Sequence, residues 1–218
     1  MGAVIGDVLP LAVGVAISPI PIVAAILMLL SANAGGASVG FGIGWVVGIV
    51  AATGVFILLS GVVGASDDDS TSSVSWVKVA LGVLLVVLAV KQWRDRGDTS
   101  VPKWMQAIDQ LTLAKAAGLG VVLAAVNPKN LLLCAAAGVT IGAGAIGAAE
   151  DVVALVVFTV LAASTVLIPV IGYALAADRL REPLASAKTW LQEQNHAVMA
   201  IVLVVMGAVM IGKGLGGF

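Results

Sequence analysis

The stretch Asn127-Pro128-Lys129-Asn130 places a proline and three polar side chains inside a long apolar run of the sequence. Proline removes a backbone donor and clashes with the preceding turn, so a helix bends or breaks there. Polar side chains at membrane depth are costly unless they face protein or water. The stretch therefore predicts a broken membrane helix beside a polar site.

A second stretch, Ser18-Pro19-Ile20-Pro21, has the same character and lies in the first apolar run. Pro19 and Pro128 are separated by half the length of the 218-residue chain. Broken hydrophobic segments at corresponding positions of two halves are typical of transporters, whose substrate site lies near the middle of the bilayer. We expect the two stretches to meet there.

The composition identifies a membrane protein, because 61% of the residues are hydrophobic and only 11% are charged. Soluble domains have about 25% charged residues. The net charge of -1 argues against nucleic acid as a partner, since no basic face is available. One cysteine, one histidine and no clustered carboxylates in the spans predict neither a metal site nor a cofactor.

Six runs reach the roughly 20 apolar residues that a membrane helix needs. They cover residues 7–31, 37–63, 76–92, 112–143, 152–177 and 197–214. We predict an all-α polytopic membrane protein in which helices 1 and 4 are broken at proline. Residues 1–110 and 111–218 would each hold three helices in opposite orientations, which predicts two inverted three-helix repeats. The segment 178–195 is expected to be an amphipathic loop.

The charges between the runs predict the orientation of the chain. Basic residues mark the cytoplasmic face of a membrane protein. One predicted side carries Lys91, Arg94, Arg96, Lys103, Lys115, Arg179, Arg181 and Lys188. The opposite side carries Asp67-Asp68-Asp69, taken as a solvated loop, together with Glu150 and Asp151. We therefore predict a multi-pass protein of the inner (plasma) membrane with both termini outside.

Glycines recur at strict four-residue spacing in the second run, at Gly36, Gly40, Gly44 and Gly48. Such glycines line one helix face and let another backbone approach closely. Two interpretations remain open at this point. The face could pack against another span of the same chain, or it could form the seam of a homodimer.

Lys129 is the candidate for binding an anionic headgroup or a carboxylate, or for exchanging a proton, because an intramembrane charge is usually functional. The alternative is that Lys129 lies near an interface and extends its ammonium to water. Asn127, Asn130 and Ser18 are predicted to add polar contacts to a substrate. Pro19, Pro21 and Pro128 are predicted to act as hinges.

A serine and a lysine can also form a nucleophile and its base, as Ser18 and Lys129 would in a hydrolase. The sequence supplies no orienting third group and no recognisable oxyanion motif. We therefore expect that the protein is not an enzyme.

These motifs carry a resemblance to known transport proteins. Pro-x-Pro in the first span, Asn-Pro-Lys in the fourth and six spans in two halves resemble the lysine exporter (LysE) superfamily. Within it, Ser18-Pro19-Ile20-Pro21, the glycine-rich second span and Asn127-Pro128-Lys129-Asn130-Leu131 are most similar to the GAP family, also called sulfolipid-1-addressing proteins. The resemblance implies an inner-membrane protein that moves glycolipids or peptidoglycolipids to the cell surface, alongside large lipid transporters.

Three hypotheses for the function follow. The first is a transporter that assists the export of cell-envelope glycolipids, with membrane lipids and a glycolipid substrate as its partners. The second is a proton-driven exporter of a small, amino-acid-like solute, although no intramembrane carboxylate is available as proton carrier. The third is a non-transporting adaptor of a larger lipid exporter, with the glycine face as its docking surface.

The predicted orientation can be tested by cysteine labelling in a Cys134→Ala background. Single cysteines at Asp68 and Glu150 should react with a membrane-impermeant thiol reagent in intact cells, because both positions are predicted to lie outside. Cysteines at Arg94 and Arg181 should react only after the membrane is permeabilised. Labelling of the second pair in intact cells would reverse the orientation.

Overall fold

The computed structural model describes residues 1–64, 70–97, 108, 111–144 and 147–216. All long elements in these ranges are α-helices, as predicted. They are α1 (Gly2–Ala16), α2 (Pro19–Leu29), α3 (Ala34–Gly64), α4 (Ser70–Arg94), α5 (Leu113–Ala125), α6 (Pro128–Gly142) and α7 (Ala148–Leu215). A single 3₁₀ turn, Asp95–Gly97, follows α4. The predicted acidic loop Asp67-Asp68-Asp69 and Lys103 lie outside the described residues.

Both predicted breaks are present at the two proline stretches. The axes of α1 and α2 are bent by 53°, and those of α5 and α6 by 65°. The second helix of each pair, α2 or α6, begins with proline. At the first position of a helix the N–H has no partner within the helix, so proline loses no hydrogen bond there. The residue before a proline prefers an extended backbone, and Ser18 and Asn127 are both extended N-caps.

Length and composition allow up to five membrane crossings in the described helices. The helices α3, α4 and α7 are each long and apolar enough to cross, and each bent pair adds one crossing if it forms a single span. The described helices are therefore those of a membrane protein, as the composition predicted.

The pair α5–α6 continues in one direction along α3. Four close backbone approaches show the register, and the residue numbers rise together on both sides. The neighbours are Gly40 with Leu113, Gly44 with Ala117, Thr53 with Gly138, and Ile57 with Gly142. A re-entrant loop would reverse direction between α5 and α6. The helices α5 and α6 therefore run in the same direction along α3, with a bend between them, and α6 does not fold back on α5.

The helix α4 packs against the C-terminal part of α7 in the antiparallel direction. Glycines on both helices make the closest approaches, and a polar contact lies at the far end. The neighbours are Val79 with Gly214, Gly82 with Gly207, and Gln92 with His196, whose side chains are 2.8 Å apart. Residues from both halves of the chain thus pack directly against each other.

The prediction of a loop at residues 178–195 is wrong, because this segment is helical and belongs to α7. It is rich in Ala, Leu, Arg, Lys, Glu and Gln, which are all good helix formers. Pro169 and Pro183 both lie inside α7 without ending it. The described backbone of α7 leaves helical angles at Ala176, with φ -151° and ψ 52°.

The glycine face of α3 packs within the chain. Gly40 and Gly44 lie against backbone carbonyls of α5, and Gly48 lies against Val121 and Ala124 of the same helix. Gly36, one turn earlier, adjoins the side chain of Asn33. Gly40, Gly44 and Gly48 therefore pack within the chain, as the first interpretation has it, and a homodimer stays a prediction.

Replacing Gly44 with leucine should prevent α3 from packing on α5, because any Cβ at this position overlaps the Ala117 carbonyl. Overpacking of this kind costs about 1–3 kcal/mol, and more where backbone must move. The matched control is Gly54→Leu in the same helix, since no atom lies within 4 Å of a Cβ there. We expect Gly44→Leu, and not the control, to lower the melting temperature and the yield of monodisperse protein. Unchanged melting of Gly44→Leu would contradict the observed packing.

Candidate functional site

The two helix breaks meet inside the molecule. The ammonium of Lys129 donates to the carbonyl of Ile17 at 3.2 Å and to the hydroxyl of Ser18 at 3.3 Å. The hydroxyl of Ser18 donates in turn to Oδ1 of Asn130 at 3.2 Å. The structure thus brings together three of the predicted site residues, which form a continuous hydrogen-bonded chain between the halves. We call Ser18, Lys129 and Asn130 the break cluster.

The first break leaves the carbonyl groups of Ala16 and Ile17 to accept hydrogen bonds from side chains. In a continuous helix, the carbonyl of Ile17 would accept a hydrogen bond from residue 21, but Pro21 has no N–H. Lys129 supplies the missing donor. The hydroxyl of Thr165 in α7 donates to the neighbouring carbonyl of Ala16 at 2.7 Å. Pro21 therefore has a specific role beside Pro19, because it leaves a carbonyl free for Lys129.

The second break is closed by residues of α6 itself. The backbone N–H of Asn127 donates to the carbonyl of Val122, which leaves the carbonyl of Leu123 free. The amide Nδ2 of Asn130 donates to this carbonyl at 3.0 Å. The side-chain amide of Asn130 therefore links the second break to Ser18, because its Nδ2 donates to Leu123 and its Oδ1 accepts from Ser18.

Asn127 has a structural role beside the break cluster, and its predicted contact with a substrate stays a prediction. It is the N-cap of α6, and its side-chain oxygen accepts a hydrogen bond from the backbone N–H of Lys129 at 3.1 Å. Capping of this kind satisfies an N–H group that has no partner in the helix. Asn127 is half-buried and supports the backbone under the break cluster.

The break cluster is closed to solvent. The exposed fractions of Ser18, Lys129 and Asn130 are 1%, 2% and 0%. The alternative that Lys129 extends to an interface is therefore wrong. Among the described residues, the ion pair joins Lys213 to Asp7 and not Lys129 to an acid.

The arrangement makes Lys129 a buried amine without a carboxylate partner in the described part of the chain. Its ammonium lies at the C-terminal end of α1, where the helix dipole and free carbonyls favour positive charge. Such oxygens compensate a buried charge only in part, and a full charge in this setting gains most from an anion. The site can therefore attract an anionic group or release a proton.

Two contacts near the two breaks and at the ends of the helices involve residues that were not predicted as site residues. Thr165 is one, and the only sequence signal for it is a hydroxyl in the apolar fifth run. The other is the ion pair between Lys213 and Asp7, whose charged atoms are 2.8 Å apart and which joins α7 to α1. Both of these residues lie at ends of predicted runs on the same predicted side, which is a signal that could have paired them.

A double-mutant cycle tests the contact between the halves. Ser18→Ala and Asn130→Ala should each destabilise the protein, and their coupling should be about 0.5–1.7 kcal/mol, as measured for other hydrogen bonds between membrane helices. The free energy of unfolding can be followed by circular dichroism in mixed micelles. The control pair is Ser18→Ala with Thr140→Ala, since Thr140 bonds within its own helix. Additive effects in the first pair would contradict the Ser18–Asn130 contact.

Comparisons with known proteins bear on what this geometry serves. A search of curated proteins and a search of solved structures each found no match. A family model described as "Sap, sulfolipid-1-addressing protein" matches residues 8–216, which is nearly the whole chain. The predicted resemblance to this family is confirmed, and the placement in the lysine exporter superfamily stays a prediction. The chain belongs to the sulfolipid-1-addressing protein family.

Proposed function

We propose that the protein is an inner-membrane transporter that assists the export or translocation of cell-envelope glycolipids. The single observation that carries the proposal is the buried ammonium of Lys129, which lies at the junction of two broken helices. Membership of a family named for addressing a sulfolipid supports a role in glycolipid addressing or export.

The proposed topology has six crossings in two inverted halves. The 68 residues of α7 would extend about 100 Å as a straight helix, more than three times the thickness of the hydrocarbon core. The break at Ala176 supports its division into two crossings. The bent pairs α1–α2 and α5–α6 would then begin the two halves, and each has proline at the start of its second helix.

In this proposal, the anionic part of a glycolipid competes for the hydrogen bonds of Lys129. Lys129 now donates to Ile17 and Ser18, which belong to the first half of the chain. A charged oxygen is a stronger acceptor for an ammonium than a carbonyl or a hydroxyl. Binding would therefore detach α6 from the first break, and the prolines would let the helices move at the junction.

The adaptor function is the second candidate, and one observation favours it. Every member of the break cluster already has a hydrogen-bond partner within the protein, and the cluster is closed. A cluster of this kind could serve only to hold the two halves together. In that case the protein would scaffold a larger lipid exporter and would move no substrate.

Purified protein in liposomes separates the candidate functions. Movement of a fluorescent anionic glycolipid between leaflets supports the transporter, and uptake of labelled amino acids supports the small-solute exporter. If neither moves, the adaptor remains.

Lys129→Ala should abolish glycolipid movement, because the substrate then loses its cationic partner. Lys129→Arg should retain part of the activity, since the charge is kept while the geometry changes. Lys129→Gln should behave like Lys129→Ala. The control is Lys115→Ala, an exposed lysine on α5. Each variant is compared at equal amounts of folded protein in the liposomes. Full activity of Lys129→Ala would overturn the proposed role of the site.

A further inference from the structure

An open groove of about 410 Å³ runs between α4 and the C-terminal part of α7. Ala89 and Ala200 lie in its lining and are almost fully buried, with exposed fractions of 1% and 3%. Val90, Ile201 and Val204 also line it and are about half exposed. The groove is thus a slot with a floor of small side chains and walls of branched ones.

The packing of the two helices explains why the slot forms at this level. Gly82 and Gly207 bring the backbones of α4 and α7 into direct contact. Further along, the groove is lined by the small residues Ala89 and Ala200 and by the larger residues beside them. The wall residues are apolar and open to the surroundings, which in a membrane are lipid chains.

The slot has a basic end. Trp93 and Arg94, in the last turn of α4, line it there. The guanidinium of Arg96 lies 4.8 Å from the centre of the Trp93 ring and also donates to the Trp93 carbonyl. Residues 91–96 carry three basic side chains against the single acid Asp95. Tryptophan and arginine at the end of a membrane helix are typical of the headgroup level.

We propose that this groove is a binding site for an anionic phospholipid. One acyl chain lies along the exposed walls of the groove, at Val90, Ile201 and Val204, and the phosphate lies at Arg94. The volume is in the range of pockets that hold small ligands. Clusters of basic residues beside a membrane helix attract anionic headgroups, so the charge selects the lipid and the slot orients its chain. The site shares no residue with the break cluster, and it therefore goes beyond the proposed transport function.

Native mass spectrometry of the purified protein tests the site. Dioleoyl phosphatidylglycerol and dioleoyl phosphatidylcholine are titrated separately, and one molecule of the first should be retained preferentially. Arg94→Gln should weaken retention about fivefold, the effect expected for one basic residue near a headgroup. Its control is Arg181→Gln, an exposed arginine of α7 that does not line the slot.

A second variant tests the slot without changing the charge. Val204→Trp should fill it and abolish preferential retention, whereas Val160→Trp, at an exposed position of α7 outside the slot, should not. Equal retention of both lipids, or no effect of either groove variant, would overturn the proposal and leave ordinary lipid contact. Equally tight binding of glycerol phosphate would also overturn it, since the acyl chain would then contribute nothing.

Discussion

The two proline breaks leave carbonyl groups free inside the molecule, and the contacts between the halves follow from this constraint. The lipid interior offers no water to such groups, so each must find a donor within the protein. Lys129 supplies one for Ile17, Thr165 supplies one for Ala16, and Asn130 supplies one for Leu123. Two of these three bonds cross between distant parts of the chain. The breaks therefore hold the two halves together, although each break weakens its own helix.

The same donors are the chemical groups that a substrate would meet. Because Ser18, Lys129 and Asn130 are buried and bonded to one another, a ligand can enter only by exchanging those bonds. A ligand of this kind shifts the structure by as much as it prefers the open arrangement over the closed one. In the proposed transporter, binding and movement are thus coupled through the hydrogen bonds that close the breaks.

Glycine contacts provide the rigid frame around this junction. Gly40 and Gly44 seat α3 on α5, while Gly82 and Gly207 seat α4 on α7. Small residues at these positions let the helix backbones approach closely. In the proposed transporter, movement would occur at the bends, where proline interrupts the helical hydrogen bonds. The groove between α4 and α7 lies beyond the glycine contacts, at Ala89 and Ala200. The inferred lipid site therefore lies on these two closely packed helices.

The sequence alone determined the membrane class, the positions of both breaks and the polar residues beside them. These follow from local properties, namely apolar composition and the missing N–H of proline, which do not depend on the rest of the fold. Three features became known from the folded chain: the glycine face meets α5, residues 178–195 are helical, and Lys129 reaches Ile17. The same glycine spacing is expected whether the face packs on a helix of the same chain or on a second copy of the protein. An amphipathic segment such as 178–195 can form either a loop along the membrane surface or a helix. Contacts between residues distant in the sequence select one of the structures that a local sequence pattern allows.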